Sequence, residues 1–124
     1  MYSNVIFNAE DYNAGADLSA EQYTFMARGT GREVTQAGAG EAAVGVLWNS
    51  PAEDQAATVV VGGRPNVYAG AAIADGAEIA SDANGNAVTA VSTDVVLGYA
   101  MHAASGSGVL VQVELLGEAQ FTKA

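Results

Sequence analysis

The chain has 124 residues, 14 acidic against 4 basic side chains, a net charge of −10 and no cysteine. A surface of that sign repels phosphate, which argues against direct nucleic-acid binding, and without cysteine there is neither disulfide nor thiolate chemistry. No basic segment followed by an apolar core opens the chain, and no apolar run approaches the length of a membrane span, so a soluble protein made in a cytoplasm is expected.

Half of the residues are apolar, yet only 7% are aromatic. Ala, Val and Gly dominate, and such side chains bury little area each at roughly 25 cal/mol per Å². A thin core in a single domain follows, with association as a natural supplement to stability. The excess of acid serves solubility, or faces a partner that carries positive charge.

Residues 1–19 sustain neither helical nor strand periodicity. Tyr2, Val5, Ile6 and Phe7 form an apolar cluster ahead of Asn, Asp and Gly, with Tyr12 further on. Such a segment either packs on its own domain or projects as an arm that orders on a partner, by adding a strand to a sheet edge or filling a groove with Ile6 and Phe7. From about residue 20 the domain proper begins. Tyr23, Phe25 and Ala27 alternate with Thr24, Met26 and Arg28, predicting the first strand, and Gly29-Thr30-Gly31 turns the chain into a second over Arg32–Gln36.

After the loop Ala37–Gly40, Ala43–Trp48 reads as a strand that ends at Asn49-Ser50-Pro51, since proline cannot continue a ladder. Ala57–Val61 is a nearly continuous apolar strand, and Gly62-Gly63 is expected to turn it. Pro65 demotes Arg64–Tyr68 to an edge or irregular strand. A single helical turn fits Ala69–Gly76. Ala77–Ser81 and Asn86–Ala90 then flank Asp82-Ala83-Asn84-Gly85, and Asn-Gly predicts a hairpin with a type I′ turn.

The last two runs make a second hairpin around Ala104–Gly108. In the first (Val95–Ala103), Val95, Leu97, Tyr99, Met101 and Ala103 share one face, with Val96, Gly98, Ala100 and His102 opposite. In the second, Val109, Val111, Val113 and Leu115 oppose Leu110, Gln112 and Glu114. Residues 118–124 read as a polar tail. The fold class expected is all-β: a small β-sandwich or barrel of about eight or nine short strands over residues 20–117, with an extended N-terminal arm over 1–19.

Chemical motifs are sparse. Gly38-Ala39-Gly40-Glu41-Ala42-Ala43 matches a nucleotide fingerprint in letters, but a strand follows it where that motif requires a helix N-terminus. Asp82, Asn84 and Asn86 echo the start of a calcium loop, yet Ala87 and Thr93 stand where glycine and glutamate are needed. The twin-hairpin rhythm of Ala69–Ala90 resembles biotin- and lipoyl-carrier domains, but the hairpin tip is Asn84-Gly85 with no lysine to hold a cofactor. His102, the only histidine, lacks a second histidine for a metal and a partnered serine for a triad. No catalytic residue, metal or cofactor is expected.

Several pieces taken in order resemble the capsid cement, or decoration, proteins of tailed bacteriophages. They are Leu18–Phe25 (LSAEQYTF), Val44–Pro51 (VGVLWNSP), Ala57–Val61, Ala69–Ala74 (AGAAIA), Ala80–Ala87 (ASDANGNA) and Val96–Ala100 (VLGYA), followed by the strand Val109–Leu116. The likeness spans residues 18–116. It implies a small β-rich protein on the outer face of an icosahedral head, as a homotrimer at threefold and quasi-threefold positions, with the major capsid protein as partner. On that reading the protein is no enzyme; it staples coat subunits and stabilises the expanded, DNA-filled head by binding it preferentially. By analogy with decoration proteins generally, Tyr2, Val5, Ile6, Phe7 and Tyr12 become a capsid-binding arm. Trp48, Asn49, Pro65, Tyr68 and His102 are candidate interface residues, Trp48 because tryptophan is enriched at interface hot spots. The alternatives are another virion β-domain, such as a tail or spike adaptor, and a small-ligand-binding β-barrel.

Overall fold

The computed structural model describes residues 5–124, with side chains from residue 8 onward. It is all-β, with twelve strands among the described residues and one short 3-10 turn, Gly117–Ala119. The strands are more numerous than the sequence suggests because the expected arm and tail each hold one, β1 and β12, and one expected run is divided between two sheets as β9 and β10. Three layers of pairing result: a closed five-stranded barrel in the order β1-β3-β2-β4-β5, a five-stranded sheet β6-β11-β10-β7-β8, and the two-stranded pair β12-β9.

The barrel is built from β1 (Val5–Ala14), β2 (Phe25–Arg28), β3 (Glu33–Gln36), β4 (Gly45–Leu47) and β5 (Ala56–Arg64). Period-two alternation divides the apolar residues of its near wall between two cores. Met26, Leu47 and Val59 point into the barrel with Ala14, Leu18 and Val34. Phe25 and Val46 point the other way, onto Val67, Ile79, Leu97, Val111 and Val113 of the second sheet. Strands buried on both faces read as continuous apolar runs, and this is why β4 and the Val59–Val60 centre of β5 lack a polar face.

The second sheet comprises β6 (Asn66–Tyr68), β7 (Glu78–Ser81), β8 (Ala87–Thr89), β10 (Gly98–Ala100) and β11 (Leu110–Leu115). As Pro65 requires, β6 is an edge strand. The β7–β8 hairpin forms where Asn-Gly signals it, with Ser81 opposite Ala87. Its turn is a five-residue loop in place of the expected type I′ turn. Asp82 Oδ1 accepts the N–H groups of Asn84 (2.8 Å) and Asn86 (2.9 Å), and this side-chain cap stabilises the longer loop. The loop docks on the barrel, since Phe25 N–H donates to Gly85 O at 2.8 Å.

Five expectations are corrected. An arm is expected over 1–19, yet within it the described stretch Val5–Ala14 is β1, a barrel stave that pairs antiparallel with β5 from Val5↔Arg64 to Asn13↔Ala56. Its mixed composition hid this, because a register shift around Asn8 breaks the alternation. Gly62-Gly63 does not turn; β5 runs through it to Arg64, with Gly63 at φ 109 inside the ladder. Ala69–Gly76 has no helical turn, since Ile73 bridges Ala104 and Asp75-Gly76 turns the chain with Gly76 at φ 78.

The run Val95–Ala103 is split at Leu97 between β9 (Val95–Val96) and β10, and both Val96 and Leu97 are buried, so simple alternation fails there. Finally, the polar tail contains β12 (Phe121–Thr122), which pairs with β9. Lys123 anchors it by an ion pair to Glu78 and a 2.8 Å bond from its N–H to Asp94 O.

Candidate interaction surface

Three aromatic rings meet where the barrel touches the second sheet. Tyr23, immediately ahead of β2, adopts a left-handed φ of 67°. That conformation is disfavoured for a bulky residue and persists only where its surroundings enforce it. Here the Tyr23 N–H donates to Leu47 O at 2.8 Å, and its carbonyl accepts the Tyr68 N–H at 3.0 Å. The ring stands edge-on to Trp48 (centroids 6.3 Å apart) and to Tyr68 (6.0 Å). Such pairs contribute about 0.5–1.5 kcal/mol beyond area burial. Gln22 supports Trp48 from below, donating from Nε2 to its carbonyl at 2.7 Å.

Asn49 extends β4 with its side chain. Its Nδ2 donates to Ala56 O and its Oδ1 accepts the Thr58 N–H, both at 3.0 Å, so the amide replaces the ladder that Pro51 ends. Trp48 and Asn49 are half-buried and Tyr68 is 37% exposed. The corner therefore gathers Trp48, Asn49 and Tyr68 from the sequence-derived set and adds Tyr23. No sequence signal marks a tyrosine for positive φ, so Tyr23 read as an ordinary strand residue.

The other two candidates serve the framework. Pro65 is buried and its carbonyl accepts the Val113 N–H at 3.0 Å. His102 is half-buried at the β10–β11 connection, where Nε2 accepts the Gln112 N–H and Nδ1 lies against Ala103 O, each at 3.0 Å. Both ring nitrogens are thereby spent on backbone groups.

Of the arm residues, Tyr2 lies outside the described residues, as do the side chains of Val5, Ile6 and Phe7. Tyr12 packs half-buried against the barrel core, with the Arg32 guanidinium 4.8 Å from its ring centroid. Arg32 also donates to Asp11 O. Along the inner side of this strand Asn8, Glu10 and Tyr12 line a cavity of about 590 Å³ at the barrel mouth, closed opposite by Val44, Val61, Glu118 and Gln120. The Gln120 carboxamide clamps the Ala43 backbone, donating to its carbonyl at 2.6 Å and accepting its N–H at 3.4 Å.

Among the described residues, no three His, Asp or Glu side chains converge as metal ligands. The molecule is thus an all-β, barrel-and-sheet protein whose conspicuous surface features are an aromatic corner and an acid-lined mouth. Its sequence matches no protein-family model and no curated protein. Its fold is similar to that of the head fiber gp8.5 N base of bacteriophage phi29, with a TM-score of 0.74 over 94% of this chain and 97% of that one, at 20% identity. The narrower resemblance to cement proteins thus has no matching family model behind it, while the fold likeness is to a protein of a phage head.

Proposed function

We propose that this chain is a structural protein of a bacteriophage virion that binds the outer surface of the head, without enzymatic activity or cofactor. The observation that carries the proposal is the fold likeness to a phage head fiber base over nearly the whole of both chains. The ordered sequence pieces of residues 18–116 point to the same setting from a separate direction. An acidic protein with net charge −10 suits a position outside a DNA-filled shell.

In this reading the protein is a homotrimer at threefold and quasi-threefold positions, with the major capsid protein as partner. Each copy contributes the aromatic corner, whose rings are pre-set by backbone bonds and lose little conformational freedom on docking. Simultaneous engagement of several coat subunits raises the effective concentration of each contact. Preference for the expanded shell then stabilises that state by mass action.

A second reading, the foot of a projecting head appendage, is favoured by the description of the similar structure as a base. The test is co-sedimentation of the purified protein with expanded and unexpanded heads of its phage, followed by a reconstruction. The proposal expects threefold-symmetric density on expanded heads, lost with Trp48→Ala/Tyr68→Ala, and a trimer mass by light scattering. Extra density continuing outward from that position would mark the foot. Absence from heads, or density confined to tails, would overturn the head assignment.

A further inference from the structure

The barrel closes through an uneven seam. β1 meets β3 only at Asn13↔Glu33 and Ala14↔Val34. Asn13 N–H donates to Arg32 O and Gly15 N–H to Val34 O, so the odd-numbered residues here direct their backbone groups to the β3 side. Asp11 O, the next on that side, is taken by the Arg32 side chain. Below Asp11, no further strand among the described residues lies along this edge of β1, although its other edge stays paired with β5 down to Val5↔Arg64. An overhanging stave with one open edge is a template for strand addition.

The charges at this edge discriminate between occupants. Glu10 and Glu118 both line the mouth, and Asp11 follows Glu10 on the strand. The ion pairs among the described residues are Arg64–Glu114 and Lys123–Glu78, so neither glutamate of the mouth is matched by a cation there. A second copy of this acidic chain pairing through its own β1 would bring like charges together, which is destabilising across strands. A basic strand meets complementary charge, and the half-buried Val44 and Val61 offer an apolar floor for its intervening side chains.

We propose that the barrel mouth takes an extended basic segment of a partner protein, added as a strand along β1 below Asp11, with alternate side chains resting on Val44 and Val61 and reaching Glu10 and Glu118. Only the origin of that partner, a coat subunit, rests on the function proposed above.

The test titrates the isotope-labelled full chain, at about physiological salt to screen diffuse attraction, with a short peptide that alternates threonine with lysine and valine, and with its glutamate counterpart. Expected are amide shifts confined to Ala9, Asp11, Val44 and Gln120 with the lysine peptide and none with the glutamate peptide. Glu10→Gln/Glu118→Gln weakens binding about fivefold, as two exposed ion pairs allow, while Glu53→Gln/Asp75→Asn, an equal charge change away from the mouth, leaves it unaltered. Shifts on other faces only, equal loss in both double variants, binding of the glutamate peptide, or concentration-dependent self-association through β1 would each overturn the inference. Undiminished head binding by Glu10→Gln/Glu118→Gln would sink it and leave the head assignment standing. Failure of the wild-type chain to bind heads, with the peptide result intact, would sink the head assignment alone.

Discussion

The two ends of the barrel contrast. At one end Leu18, 2% exposed, plugs the interior, and its N–H donates to Pro51 O at 3.0 Å. Ala14 N–H donates to Gln55 O and Asp54 N–H to Ala14 O, each at 2.9 Å, so two loops are stitched over the opening. At the other end β1 and β5 overhang β4, and Asn8, Glu10, Val44 and Val61 line an open mouth. The same two strands supply both ends. The difference teaches that backbone hydrogen bonds here are completed by loops where the core must be sealed, and left available where the core has run out. Sealing loops and an open strand edge thus lie at opposite ends of one ladder.

Truncation gives the largest expected effect on that contrast. Removing residues 1–14 deletes a stave that reaches both ends and exposes Val59 and Val60. The loss is expected to exceed the roughly 5–15 kcal/mol by which a domain is stable, giving a chain without a cooperative melting transition by circular dichroism. A truncated protein that melts cooperatively would show that the segment is a dispensable arm.

Close approach of strands to the body is probed next. A Cβ at Gly45 would lie 2.0 Å from Val60 O, and one at Gly98 2.2 Å from Glu114 O, whereas one at Gly106 meets nothing within 4 Å. Gly45→Ala and Gly98→Ala are expected to cost about 1–3 kcal/mol or more by overpacking, read as a drop in the denaturation midpoint, with Gly106→Ala near wild type. Equal midpoints for all three would mean that the β4–β5 and β10–β11 approaches are looser than described.

The smallest effect concerns Asp17, in the loop of the sealed end. Its carboxyl is held below the ordinary 3.8 by hydrogen bonds from Ser19, whose N–H donates to Oδ1 at 3.1 Å. A depressed folded-state value means that the contribution is present above 3.8 and is lost as pH falls through the folded value. Asp17→Asn should therefore lower the melting temperature slightly at neutral pH, and the gap to wild type should close in acid. A gap that persists in acid would assign the effect to something other than the charge.

Much of this architecture was legible in residue patterns. Asn84-Gly85 marked the β7–β8 hairpin, Pro65 an edge or irregular strand, and the nearly continuous apolar run Ala57–Val61 a strand. Illegible features share a physical cause. β1 contains a register shift at Asn8, so period two was interrupted. Leu97 switches the chain between sheets, so its neighbours on both sides are buried. Gly62-Gly63 has turn chemistry, but long-range pairing with β1 overrode it, as tertiary context commonly overrides local preference. At the candidate surface, Trp48, Asn49 and Tyr68 were visible as residue types, whereas Tyr23 entered through a backbone angle that no side-chain pattern encodes.

By itself the amino-acid order determined the all-β class, the acidic surface and most turn positions, because these depend on side-chain type and short-range spacing. Only the tertiary structure decided that the N-terminal segment is a stave, that the final residues close a small sheet, and that Tyr23, Trp48 and Tyr68 share a corner. Those outcomes depend on which distant backbone groups find one another, and the hydrogen bonds that select them are identical for every residue and leave no mark in the sequence.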